Sequence, residues 1–157
     1  RKATTEEQEI LAQYVGWGGL SEVFDESKGS WADEYVELKA LLNEDEYRSA
    51  RESTLSAFYT SPVVIESIYQ VLDNLGFRRG NILEPSCGIG NFLGMLPESM
   101  QESKLYGIEL DAITGRIAKQ LYQKESIAVE GYEDTKLPDS FFDVAIGNER
   151  ELLGLIA

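Results

Sequence analysis

The chain has 157 residues, 43% of them hydrophobic and 27% charged, which is enough to bury one core without cross-links and excludes a disordered or fibrous class. Its single cysteine, Cys87, excludes an internal disulfide, and the absence of histidine removes the usual zinc constellations, so no metal is expected. With 28 acidic against 14 basic residues the formal charge is −14, which repels a phosphate backbone; any grip on DNA is expected outside this chain. No apolar run approaches the roughly 20 residues that span a bilayer, and Arg1 Lys2 Ala3 Thr4 Thr5 carries no signal-like stretch, so the expectation is a cytoplasmic protein that meets no membrane.

In chain order, Thr5 with Gln8 reads as a capping box ahead of Ile10, Leu11 and Tyr14. A glycine-rich turn, Gly16 Trp17 Gly18 Gly19 Leu20, follows. Tyr35, Leu38, Leu41 and Leu42 then recur at helical spacing between Trp31 and Leu42, and Asn43 with Glu46 can cap another helix. Trp17 and Trp31 suit core anchors of this helical N-terminal extension better than partner-binding aromatics. Near Ser61 the character changes. Pro62 suits a helix's first turn, Val64, Ile65, Ile68, Val71 and Leu72 form its expected buried stripe, and Gly76 stops it. Short apolar strands then alternate with helical stretches: 82–83, 105–110, 127–129 and 142–146, with an amphipathic segment over 111–124. Such alternation predicts a parallel sheet covered by helices.

Gly88 and Gly90 directly follow the first of these strands, in Glu84 Pro85 Ser86 Cys87 Gly88 Ile89 Gly90 Asn91 Phe92. Without Cβ atoms the backbone can turn sharply there and approach a ligand, and its amides can hold an anionic group. Glycines serve ordinary strand-to-helix turns equally well, so the loop by itself leaves both roles open. Glu109 ends the next strand about 20 residues later, where a ribose presents its hydroxyls. It is either that ribose ligand or a cap of the following helix, a job Asp111 does better. A dinucleotide site would have glycine at position 93, which is leucine. Cys87 has no cationic neighbour in sequence to lower its pKa, which suits a small packing residue.

The stretch from Glu84 to Phe92 resembles the first motif of the amino-group DNA methyltransferases: acid, proline, glycine, any residue, glycine, phenylalanine. Other segments follow in that family's order. Ala57 Phe58 Tyr59 Thr60 Ser61 Pro62 resembles the upstream cofactor motif, Glu109 the acidic second motif, and Gly131 Tyr132 Glu133 Asp134 a loop beside the cofactor adenine. Phe142 to Asn148 resembles the strand entering the catalytic motif, and Gln13 to Leu20 is similar to what precedes the methylase part of large helicase and methylase polypeptides of phages and conjugative elements. The resemblance implies a Rossmann-like S-adenosylmethionine-dependent fold, with an extension over 1–56 and an incomplete methyltransferase domain over 57–157. It implies a cofactor site of Tyr59, Thr60, Glu84, Pro85, Cys87, Gly88, Gly90, Asn91, Phe92, Glu109, Tyr132 and Glu133. Tyr59 also suits a hydrophobic staple, Thr60 a helix cap and Glu133 a solvated acid.

The chemistry so implied is methyl transfer to the exocyclic amine of adenine in DNA, with the base flipped from the duplex. That amine is a poor nucleophile, and the family's asparagine oxygen and proline carbonyl accept its two protons so that the lone pair points at the methyl carbon. Asn148 matches the asparagine. Glu149, Arg150 and Glu151 depart from the proline and aromatic that should follow. Loss of activity, a chain cut inside the domain, and a sequence that jumps past a loop all account for this; four visible strands, where the family's fold has seven, favour the last two. An RNA or protein-glutamine acceptor and a non-catalytic cofactor-binding module remain as alternatives.

Overall fold

A computed structural model describes residues 1–55 and 59–147. Helix α1 (Thr5–Leu11) opens with Thr4, not Thr5, as its cap. The Thr4 hydroxyl accepts the Glu7 amide at 3.3 Å and the Glu7 carboxylate accepts the Thr4 amide at 2.8 Å. A carboxylate is the stronger acceptor for the cap amide, which moves the expected box by one residue. Gln8 instead donates to the Gln120 and Leu121 carbonyls, at 2.7 and 3.2 Å. After 3₁₀ turns at Ser21–Phe24 and Gly29–Trp31 come α2 (Ala32–Leu41) and α3 (Glu44–Ser53). The Asn43–Glu46 box at the start of α3 is as expected, with bonds of 2.9 and 3.0 Å.

These helices share a small core of Val23, Phe24 and Ala50, against which Trp17, Trp31, Leu38, Leu42 and Tyr47 pack. Tyr14, Trp17, Phe24 and Tyr47 form a chain of edge-to-face rings with centroids 5.2 to 6.4 Å apart. Leu41, expected on this apolar face, is exposed.

Helix α4 (Pro62–Asn74) carries proline in its first turn and ends at Gly76, whose φ is +85°. Gly76 N–H donates to the Asp73 carbonyl and Phe77 N–H to that of Leu72, both at 3.0 Å, the paired bonds that close a helix on a left-handed glycine. The inward face carries the buried Ile65 and Tyr69 with the half-buried Ile68 and Leu72; Val64 and Val71, expected within it, are 47% and 56% exposed. At 100° per residue the apolar run is wider than the face the core accepts, and Tyr69 occupies that face because its hydroxyl donates to the Phe92 carbonyl at 2.7 Å.

Strands β1 (Asn81–Glu84), β2 (Lys104–Glu109), β3 (Ser126–Val129) and β4 (Val144–Ala145) form one parallel sheet in the order β3-β2-β1-β4. The register pairs Glu84 with Gly107, Glu109 with Val129 and Leu83 with Ala145. This is the order of the first half of a Rossmann-like fold, in which the chain reverses direction across β1 and leaves a crevice beyond the strand ends. Short helix α5 (Asn91–Gly94) follows β1, and α6 (Ala112–Leu121) connects β2 to β3. The main core unites Ile65 and Tyr69 of α4 with Ile82, Leu105 and Ile127 of the sheet, Ala118 of α6, and Phe92 and Met100. Among the described residues no helix is long and apolar enough to cross a membrane, and no group of three or more His, Cys, Asp or Glu side chains is arranged to hold a metal ion.

Candidate functional site

Beyond the carboxyl ends of β1, β2 and β3 lies a cleft of about 720 Å³, within the range of small-molecule and cofactor sites. The chain leaves β1 at Glu84 and turns through Gly88 (φ +55°) and Gly90 (φ +89°) into α5. The Cys87 amide donates to the Ile108 carbonyl at 2.8 Å, which ties the loop to β2, and the Gly90 amide donates to the Cys87 carbonyl at 2.7 Å, which closes the turn. Cys87 is buried against Gly107, as a packing residue would be.

Glu109 sits across from the loop. One carboxylate oxygen accepts the Gly88 amide and the other the Asp111 amide, both at 2.8 Å. Burial pushes its carboxyl above the ordinary value, and those two amide bonds pull the other way. An ionised carboxylate has about four acceptor positions, so these two amides leave acceptor capacity for ligand hydroxyls. The neighbouring Asp111 does the separate work of capping α6, accepting the Thr114 amide at 2.7 Å. Glu109 is therefore a cleft acid held by backbone, and Asp111 the helix cap.

Tyr59, Thr60, Glu84, Pro85, Cys87, Gly88, Asn91, Phe92, Tyr132 and Glu133 all line the same cleft as Glu109. Gly90 does not; the Tyr122 ring fills the space where its Cβ would stand. Glu84 is 4% exposed, and its charge helps to raise the hydroxyl pKa of the buried Tyr69 and the half-buried Tyr122, after burial itself. Tyr132 and Glu133 belong to a 3₁₀ turn, Tyr132–Asp134, just beyond β3. Phe58 and Asn148 lie outside the described residues.

The extension contributes cleft residues that no sequence motif indicates: Gly16, Trp17, Ser49, Glu52, Ser53 and Leu55 form part of the wall. Their one sequence signal is the unusual Gly16 Trp17 Gly18 Gly19 run, and nothing local to it indicates what it docks against. Among the described residues the lining holds one basic side chain, Arg48, against the carboxylates of Asp45, Glu52, Glu84, Glu109, Asp111, Glu130 and Glu133. Such a wall favours a ligand carrying positive charge and a diol over a phosphorylated one. The backbone-held acid, the left-handed turn at Gly88 and the cleft volume together fit a small ligand that carries a diol and positive charge.

No family model matches the chain. Over 147 residues it is 24% identical to Defense against restriction protein B of Escherichia phage P1, an alignment covering 92% of this chain and 5% of that protein. Over 116 residues it is 29% identical to Type II methyltransferase M.CvrRI of Paramecium bursaria Chlorella virus XZ-6E, covering 74% of this chain and 28% of that protein. The chain thus spans a small part of either relative's length. Among solved structures, a TehB-like SAM-dependent methyltransferase from Corynebacterium glutamicum is similar over 82% of this chain and 57% of its own, with a TM-score of 0.46 and 22% identity.

Proposed function

We propose that this chain is the S-adenosylmethionine-binding part of a longer methyltransferase whose acceptor is the exocyclic amine of adenine in DNA. The observation that carries the reading is Glu109, clamped by the Gly88 and Asp111 amides at the mouth of a parallel-sheet crevice with acceptor capacity to spare. The similarity to a Type II methyltransferase supports methyl transfer. The adenine acceptor rests on the resemblance of residues 142–148 to the entry of the amino-methyltransferase catalytic motif.

When bound, the cofactor supplies an electrophilic methyl group on a sulfonium. This chain's residues bind and orient it. Glu109 accepts the ribose hydroxyls, Tyr132 and Glu133 flank the adenine, and the Gly88 turn and Thr60 receive the methionine end. The acidic wall, with Glu84 at the end of β1, favours the cationic arm. Asn148 holds the acceptor amine, and the chain's charge of −14 leaves DNA binding to other parts of the longer protein.

The test is calorimetric titration of S-adenosylmethionine into the 157-residue chain and its Glu109→Ala variant. Loss of two hydrogen bonds to a charged acceptor weakens binding by about 2 kcal/mol or more, roughly thirtyfold. A folded chain that binds neither S-adenosylmethionine nor S-adenosylhomocysteine refutes the cofactor reading. Methyl transfer by the longer protein to unmethylated DNA, compared with RNA and protein, then decides the acceptor. Absence of transfer to all three, with cofactor binding intact, would favour the non-catalytic module that Glu149 and Arg150 suggest.

A further inference from the structure

The helical extension meets the cleft at two points that its own packing does not require. Gly16 has φ +71°, and a Cβ there would run into the Tyr59 hydroxyl and stand 3.2 Å from the ring carbon that bears it. The other edge of the same ring lies 3.8 Å from where a Gly88 Cβ would stand, so Tyr59 is seated between the extension's turn and the glycine loop. At the second point, the Ser49 hydroxyl of α3 donates to Asp111 at 2.8 Å, and Asp111 in turn donates its amide to Glu109. Both routes end on residues lining the cleft.

We propose that the extension is a positioning element of the nucleotide site, with Gly16 setting the place of Tyr59 and Ser49 fixing the Asp111–Glu109 corner. This rests on the cofactor reading above and names a function for the Gly16 turn that the motif does not supply. Gly16 is a positioning residue acting through Tyr59. Its glycine is needed twice over, for the left-handed backbone and for the close approach of the ring. Ser49 acts through a chain of two hydrogen bonds and has a smaller effect.

The experiment measures S-adenosylhomocysteine affinity by calorimetry for the whole chain and for Gly16→Ala, Tyr59→Phe, the double variant and Ser49→Ala, with circular dichroism to verify folding. Gly16→Ala is expected to weaken binding about tenfold. Tyr59→Phe removes the clashing hydroxyl, so adding Gly16→Ala to it costs about threefold or less. Ser49→Ala weakens binding about threefold. A tenfold loss of the same size with and without the Tyr59→Phe substitution would overturn the Tyr59 route, because general damage to the turn would not be relieved by losing one hydroxyl.

A second readout needs no substitution. The chain's 2 tryptophans, Trp17 and Trp31, both lie in the extension, and Trp17 lines the cleft. Saturation with S-adenosylhomocysteine should change tryptophan emission in step with the calorimetric isotherm. Unchanged emission during saturable binding, or equal affinity for the wild-type chain and a folded Gly16→Ala, overturns the inference and leaves the cofactor reading standing. A folded wild-type chain that binds no S-adenosyl ligand overturns both.

Discussion

Replacing Gly90 with alanine tests whether the loop's second glycine serves the ligand or the fold. Gly90 sits at φ +89° and ψ 36°, where a Cβ costs about 1–2 kcal/mol. That Cβ would also stand 2.8 Å from Tyr122 Cδ2 and nearer still to Cε2, within a ring packed against the main core. Displacing it adds about 1–3 kcal/mol, the cost of overpacking a well-filled site. The sum, about 2–5 kcal/mol, is a large share of the 5–15 kcal/mol that holds a typical domain together, and corresponds to roughly 5–15 °C in Tm for a chain of this size. Urea unfolding followed by circular dichroism measures it. In a Tyr122→Leu background the ring is gone, and only the backbone part, about 1–2 kcal/mol, should remain. An equal cost in both backgrounds, or a cost below about 1 kcal/mol in the wild-type chain, refutes the idea that the ring occupies the glycine's space.

The raised carboxyl pKa of Glu109 predicts a pH dependence of definite sign. Its folded value lies above the ordinary 4.5, so its contribution to stability is fully present below that value and lost as pH rises through the folded one. Urea unfolding of Glu109→Gln against wild type should therefore show the variant gaining relative stability as pH rises from 4.5 through the folded value; the opposite slope excludes a buried acid. Cofactor affinity should fall over the same window on acidification, since only the ionised carboxylate accepts from both amides and two hydroxyls. Asp111→Ala removes the α6 cap and the Ser49 partner together, and should cost about 2 kcal/mol by denaturant titration; a loss under about 0.5 kcal/mol would show the cap to be dispensable. Ile65→Ala should cost about 2–5 kcal/mol and Val64→Ala less than about 1 kcal/mol, because Ile65 is fully buried and Val64 half exposed; comparable losses would mean that α4 is rotated from its described face.

Much of the candidate site's arrangement is legible in the order of the residues. The switch from apolar run to glycines at Gly88 and Gly90, and the acid ending the next strand at Glu109, are short-range patterns fixed by what a parallel strand and its following turn require. The caps on α3 and α6 are equally local, since Asn43–Glu46 and Asp111–Thr114 each involve residues three apart. Where local signals compete, pattern alone misplaces a residue. Thr4 and Thr5 offer the same hydroxyl, and only the choice between Glu7 and Gln8 as reciprocal acceptor separates them. In α4 the apolar residues cover more of the helix than the core can take, so periodicity does not say that Tyr69 lies inside and Val64 and Val71 outside.

The alternation of strand and helix, the parallel sheet and the glycine-and-acid pair follow from sequence, because each depends on residues close together in the chain. That the extension walls the cleft follows only from how the chain folds back on itself. Gly16 meets Tyr59 across 43 residues, a separation read from their numbers, and Ser49 meets Asp111 across 62. No periodicity reports contacts at such range; they exist because α1 and α3 dock on α6, through Gln8 on the Gln120 carbonyl and the Arg116–Glu46 ion pair at 2.6 Å. Contacts within the sheet-and-helix part also act at a distance along the chain: Gly90 leaves room for the ring of Tyr122, and the Gly88 amide holds Glu109, 21 residues on.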